Sequence, residues 1–313
     1  MPNRDVLSIL DLSRADVRRV FERAAEMKAE RSSQTSAQAG RPLAGKSVAM
    51  IFEKPSLRTR VTFEVAISEL GGHPIYLSSQ DIQMGKREPV ADVAMNLERW
   101  VHGIIARTFS HETLVELAEH ASVPVINALS DREHPCQALA DVFTIQERKG
   151  NLRGLRLAYV GDGCNTCHSL MLLCPKVGMN VAVAAPKGYE PAAGIVAAAR
   201  SEAAQAGTVV EVSDDPKQAV SQADVVYTDV WASMGLEQER EKRLKVFPPY
   251  QVNAELLRHA KPDAIVMHCL PAHCGEEIAA DVLYGPQSAV LDEAENRLHA
   301  QKGLLSFIYG QGD

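Results

Sequence analysis

Five consecutive residues, Ser56-Leu57-Arg58-Thr59-Arg60, follow closely on the apolar run 47–52. The spacing predicts a buried strand that ends and a helix that begins, with Ser56 as its N-cap. Two guanidinium groups, a hydroxyl and the free N–H groups of a helix N-terminus make an anion site, and for a phosphate a strong one. A capped surface helix with two solvated arginines is the plain alternative, sufficient for this stretch in isolation. It does not explain why other polar residues also follow apolar runs. Arg107 follows 103–106, and His134 and Gln137 follow 123–126. Further on, Asn165 follows 155–160, Asp229 follows 224–227 and Cys269 follows 264–268.

The two groups suit different ligands. Ser56, Arg58, Thr59, Arg107, His134 and Gln137 are cationic and rich in donors. They fit a phosphate dianion beside a carbonyl, whose oxygen Thr59, Arg107 or His134 could polarise by donating to it. No lysine or serine is flanked by an obvious activating base, so covalent catalysis is not indicated. Asn165, Asp229, Ser233 and Cys269 fit a zwitterion: Asp229 for an α-ammonium, with amide, hydroxyl and backbone donors for an α-carboxylate.

Such residues need elements to hold them. The apolar runs 47–52, 74–77, 103–106 and 123–126, then 155–160, 180–184, 208–212, 224–227, 264–268 and 289–291, read as strands. They alternate with helical patterns, the signature of α/β units with parallel sheets. The length of 313 residues predicts two domains, each an open parallel sheet with helices on both faces. A helical stretch at 137–148 and the turn Lys149-Gly150-Asn151 put the boundary there: 1–149, then 150–296, with a C-terminal helix at about 297–313 packing back on the first domain. Ligands of open α/β sheets bind beyond the carboxyl ends of the strands. Two such sheets facing each other would set both groups around one cleft. Residues 31–40 read as a polar loop, 192–207 as a surface helix, and 237–245 as a solvated charged face or, since it follows Ser233-Met234-Gly235, a mobile flap.

Net charge is −7, from 33 basic and 40 acidic residues, and aromatics make up 5%. Neither a basic footprint nor a base-stacking platform is present, which excludes a nucleic-acid partner. Met1-Pro2-Asn3-Arg4-Asp5 lacks the apolar core of a signal peptide, and no apolar run has the length of a membrane helix. The chain therefore reads as cytoplasmic, its six cysteines as free thiols. Cys164-Asn165-Thr166-Cys167-His168 matches the C-x-x-C-H haem pattern literally, without an export signal to support it. A zinc site from Cys164, Cys167, Cys269, Cys274 and nearby histidines lacks a standard spacing. The reading is no metal and no organic cofactor.

Phe52-Glu53-Lys54-Pro55-Ser56-Leu57-Arg58-Thr59-Arg60 and His134-Pro135-Cys136-Gln137 resemble the carbamoyl-phosphate motifs of the aspartate/ornithine carbamoyltransferase superfamily. Asp229-Val230-Trp231-Ala232-Ser233-Met234-Gly235 and His268-Cys269-Leu270-Pro271 resemble its ornithine-specific branch. The four motifs run nearly end to end in the right order. The resemblance implies that Ser56, Leu57, Arg58 and Thr59 hold the phosphate and that Arg107 bridges phosphate and carbonyl. It gives the carbamoyl group to His134 and Gln137, and ornithine to Asn165, Asp229, Ser233 and Met234. Cys269 and the Leu270 carbonyl would lie near the reacting nitrogen. Arg297 would reach back to the carbamoyl phosphate, and Gln83, from the polar loop 78–89, would enter a neighbouring subunit's site in a homotrimer. The implied reaction turns carbamoyl phosphate and L-ornithine into citrulline and phosphate, with Arg58, Arg107, His134, Asp229 and Cys269 as the catalytic set. Two positions depart from the family: Cys164 stands where an asparagine is frequent, and Cys274 where an arginine is common. The alternatives are a sister carbamoyltransferase for another amine or amino acid, and a non-catalytic binding protein.

Overall fold

The computed structural model describes residues 5–33, 40–232 and 237–310. The chain forms two compact units, Met1–Ala140 with Asn296–Asp313, and Asp141–Glu295. Both divisions fall inside helices, Pro135–Lys149 and Val290–Tyr309. The sequence reading set the boundary at the Gly150 turn, where φ is 76°. A turn residue marks where a helix stops, whereas nothing in a continuous helix marks where its packing partner changes.

In the first unit, β1 (Ser47–Phe52), β2 (His73–Ser78), β3 (Ile104–Arg107) and β4 (Val125–Leu129) form a parallel sheet of order β2-β1-β3-β4. Ala49, Ile51, Ile104, Ala106 and Val125 pack with Val93, Leu97, Leu114 and Leu117 of the helices Val90–Leu97 and His111–His120. On the opposite face Val48, Met50, Phe52, Ile105 and Ile126 are also buried. A sheet covered on both faces needs continuous apolar runs rather than alternation.

The second unit repeats the plan. Its strands are β5 (Arg156–Val160), β6 (Asn180–Ala184), β7 (Val210–Ser213), β8 (Val225–Tyr227) and β9 (Ile265–Met267). They form a parallel sheet of order β7-β6-β5-β8-β9. Ala158, Val160, Ala182, Val226 and Val266 share a core with Ala219, Leu256 and Val282 from three short helices. Leu157, Tyr159, Val183, Tyr227 and Met267 are buried on the other side. The helix Ala193–Ala206 lies inside the stretch read as a surface helix.

Strand order reverses between β1 and β3 in one sheet and between β5 and β8 in the other. These are the topological switch points, where diverging crossovers open a crevice beyond the carboxyl ends of the strands. Ser56 and Arg107 emerge at the first crevice, Asn165 and Asp229 at the second.

Three expectations are corrected. Residues 289–291 are not a strand. Ser288 bridges Val266 once, and the helix Val290–Tyr309 then starts. A three-residue apolar run is ambiguous between the two states, and Asp292 and Glu293 in the first turn favour a helix N-terminus. Residues 31–33 continue the helix Arg14–Ser33 rather than opening a loop, and 34–39 lie outside the described residues. The run 237–245 is not simply solvated. Arg243, in the helix Arg240–Val246, is buried and pairs with Asp162 at 2.9 Å and Glu239 at 3.0 Å.

Candidate active site

The first half-site is built on the crevice between β1 and β3. Ser56 caps the helix Leu57–Glu69, its side chain accepting from the Thr59 N–H at 3.3 Å. The Leu57 side chain is exposed, so Leu57 can contribute only its backbone. Arg58 follows, half-buried, and no side chain among the described residues pairs with its guanidinium. Arg60 is engaged elsewhere, with Glu64 at 3.0 Å and over the Tyr76 ring. Thr59 is fully buried, and its Oγ1 accepts from Arg297 Nη2 at 2.7 Å. Arg297 Nη1 also donates to Gln137 Oε1. Residues far apart in the chain (59, 137 and 297) therefore form one buried network. Arg107 ends β3 at an irregularity in its register with β4, a device that re-aims a side chain at a strand end.

His134 stands beside this network. Burial, then the positive charges of Arg297 and Arg107, pushes its imidazole pKa well below the ordinary 6.5. Its ring is therefore uncharged at neutral pH and can polarise a carbonyl without repelling the neighbouring arginines. The sign for stability follows from the same shift. The unfolded chain binds a proton below pH 6.5 that the folded chain refuses, so stability falls as pH drops from 6.5 toward the depressed folded value. We expect His134→Gln to flatten urea-denaturation stability against pH between about 5 and 6.5, a slope of up to about 1.4 kcal/mol per pH unit. Equal slopes for the two proteins would refute the charge-free imidazole.

Gln83 closes the short helix Ser79–Ile82 in a left-handed conformation, φ 45°, and is exposed. No hydrogen bond among the described residues joins its side chain to the network within one chain.

The second half-site surrounds Asp229. The carboxylate is buried, and Oδ1 accepts from the Val230 N–H at 2.8 Å and from Cys269 Sγ at 3.1 Å. Burial, then the negative charge of Asp229, raises the Cys269 thiol well above its ordinary range. Cys269 is thus a protonated donor here and not a thiolate nucleophile. Leu270 adopts φ 56°, a conformation unusual for a branched side chain. Its N–H donates to His268 Nδ1 at 2.9 Å, and His268 Nε2 in turn lies 3.1 Å from Glu277 Oε1. Asn165 opens the helix Asn165–Lys176, and its Oδ1 accepts from the Thr166 N–H at 2.8 Å. Ser233 and Met234 lie outside the described residues.

Sequence reasoning gave Cys164 no role, yet its Sγ lies 3.7 Å from Asp229 Oδ2 and 3.2 Å from the Tyr159 hydroxyl. Only the family's frequent asparagine at this position hinted at a polar contact. Asp229, His268 and Cys269 bring ligand atoms within 4.8 Å of one another, as a metal site requires. Both ring nitrogens of His268 are already used, so it has no lone pair left to offer. All six cysteines are free thiols.

Residues 4–147 match the aspartate/ornithine carbamoyltransferase carbamoyl-P binding domain, and residues 153–308 match the Asp/Orn binding domain of the same enzymes. The chain belongs to the aspartate/ornithine carbamoyltransferase family. Among its relatives in that family, the ornithine carbamoyltransferase of Thermococcus kodakarensis is 52% identical over 99% of this chain and 98% of its own length. A protein of Pyrococcus furiosus named "Ornithine carbamoyltransferase, anabolic" is 50% identical over 99% of this chain and 98% of its own. Among solved structures, ornithine carbamoyltransferase from P. furiosus superposes with a TM-score of 0.95 at 50% identity, covering 99% of this chain and 98% of that one. The enzyme from Thermus thermophilus gives 0.86 at 46% identity, covering 98% and 100%. No helix among the described residues is long and apolar enough to cross a membrane.

Proposed function

We propose that this chain is an ornithine carbamoyltransferase that moves the carbamoyl group of carbamoyl phosphate to the δ-amine of L-ornithine, releasing citrulline and phosphate. The observation that carries the reading is the Asp229–Cys269 pair: a buried carboxylate with a protonated thiol 3.1 Å away at a switch-point crevice. The carboxylate suits the α-ammonium of an amino acid. The thiol can accept a hydrogen bond from a neutral δ-amine while it donates to Asp229.

On the phosphate side, Ser56, the Leu57 backbone, Arg58 and Thr59 take the phosphate at a helix N-terminus. Arg107 bridges phosphate and carbonyl, and His134, Gln137 and Arg297 face the carbamoyl group. Attack by the neutral amine gives a tetrahedral intermediate whose oxyanion is met by preorganised donors. Asn165, with Ser233 and Met234, completes the amino-acid side, and the Leu270 carbonyl faces the reacting nitrogen. The enzyme works in the cytoplasm and in the direction of arginine biosynthesis, a direction supported by the anabolic relative.

The test is citrulline formation by the purified chain from carbamoyl phosphate, with ornithine, aspartate or putrescine offered in turn. Ornithine alone is expected to react well. Turnover of aspartate or putrescine in its place would move the chain to a sister activity.

The exposed Gln83 fits a homotrimer in which each site borrows the 78–89 loop from its neighbour. Two inactive variants test this, Gln83→Ala with Lys86→Ala in one chain and Arg107→Ala in the other. A mixed trimer then contains a site with Arg107 from the first chain and an intact loop from the second. Dissociation, mixing and reassembly should restore activity that neither parent has. Mixed trimers as inactive as their parents would end the shared-site claim and leave the single-chain assignments standing.

A further inference from the structure

Asp229 and Cys269 sit just past the ends of two neighbouring strands, so their 3.1 Å contact depends on how those ends are held. Backbone pairing between β8 and β9 stops at Tyr227 opposite Met267, with Thr228 N–H donating to the Met267 carbonyl at 3.2 Å. Beside the Asp229–Cys269 contact itself, a side chain from a third element joins the two ends. Glu293 is 1% exposed and lies in the first turn of the helix Val290–Tyr309. Its Oε1 accepts from the Tyr227 hydroxyl of β8 at 3.2 Å. Its Oε2 accepts at 3.0 Å from the N–H of His268, the residue before Cys269. The Tyr227 ring stacks on Tyr159 of β5, 5.8 Å between centroids, and the Tyr159 hydroxyl meets Cys164 beside Asp229. The chain Glu293–Tyr227–Tyr159 thus ties the strand ends that carry all three groups around the carboxylate.

We propose that Glu293 is a positioning residue for the amino-acid half-site, holding the ends of β8 and β9 so that Asp229 and Cys269 meet. The proposal rests on the reading of that half-site as the ornithine site. Glu293 also hydrogen-bonds the Asp141 side chain, and burial together with Asp141 raises its carboxyl pKa well above the usual range. The contact therefore carries a proton, and glutamine is its nearest mimic: its carbonyl oxygen can accept from the His268 N–H, and its NH₂ can donate to Asp141 and to the oxygen of the Tyr227 hydroxyl, which rotates to accept.

The experiment compares wild type, Glu293→Gln, Glu293→Leu and Tyr227→Phe. Each is assayed for citrulline formation against ornithine and for equilibrium binding of carbamoyl phosphate. Misplacement of a site residue by an ångström costs about 10²-fold, so Glu293→Leu should lose kcat/KM for ornithine on that order. Its carbamoyl-phosphate affinity should hold, and Glu293→Gln should recover most of the loss. Tyr227→Phe, which removes one hydroxyl, should show a smaller loss in the same direction. A folded Glu293→Leu protein with wild-type kcat/KM for ornithine overturns the proposal. So does equal damage to carbamoyl-phosphate binding, which is the mark of general destabilisation. If Glu293→Leu does not fold, Tyr227→Phe decides: unchanged ornithine kinetics overturn the proposal. Wild type that makes no citrulline from ornithine would instead sink the functional reading itself.

Discussion

Arg58→Ala should lose about 10²–10³-fold in kcat/KM for carbamoyl phosphate, the cost of removing one well-placed donor from a developing or resident anion. The fold should be untouched. Nothing among the described residues pairs with the Arg58 guanidinium, which stands half-buried at the second residue of a helix whose N-cap is already satisfied by Ser56. Substitutions that break no buried contact usually change stability by no more than about 0.5 kcal/mol. Arg297 gives no such clean test, because its removal would break two buried hydrogen bonds at once, one to the Thr59 hydroxyl and one to Gln137 Oε1. The measurement is steady-state kinetics with carbamoyl phosphate varied, beside thermal unfolding of the same preparations. A stable Arg58→Ala protein with near-normal kcat/KM would remove Arg58 from the phosphate site. A poorly folded one would mean that the guanidinium supports the helix start.

Much of this was legible in the chain because parallel sheets are buried on both faces. Their strands then read as bare apolar runs, and 47–52 and 180–184 match β1 and β5's neighbour β6 end to end. Polar residues immediately after such runs mark the crevices, so position alone made Ser56, Arg107, Asn165 and Asp229 candidates, and all four lie at or just past the ends of strands that flank the switch points. Where side chains from distant segments meet was not legible. The network of Thr59, Gln137 and Arg297 spans more than two hundred residues of sequence and has no local pattern. Only the family resemblance pointed to Arg297 as a candidate. Residues 289–291 misled for the opposite reason: three apolar residues beside a true strand edge look like a strand until the acidic first turn is weighed. Arg243 misled too, since a buried arginine inside a run of charges is distinguishable only by its partners Asp162 and Glu239. The tie from Glu293 to two strand ends was equally silent.

Asp229→Asn should damage ornithine use by about 10²–10³-fold, since truncating one member of a buried, hydrogen-bonded charge pair costs roughly 2–5 kcal/mol. The substitution keeps the shape and leaves an oxygen to accept from the Val230 N–H and from Cys269. What disappears is the charge proposed to face the α-ammonium. With that charge gone, the main electrostatic force raising the Cys269 thiol pKa beyond the effect of burial also goes. Cys269 should therefore become easier to ionise and react faster with a thiol-directed alkylating agent. The arginine-rich crevice proposed for carbamoyl phosphate belongs to the other compact unit. Equilibrium binding of carbamoyl phosphate to the variant should match wild type. Two measurements on one protein then separate the half-sites: ornithine kinetics, which should fail, and carbamoyl-phosphate binding, which should hold. The reverse pattern would mean that the arginine-rich crevice and the Asp229 crevice have been given each other's ligands. Loss of both would mean that Asp229 supports the folded unit more than it binds substrate.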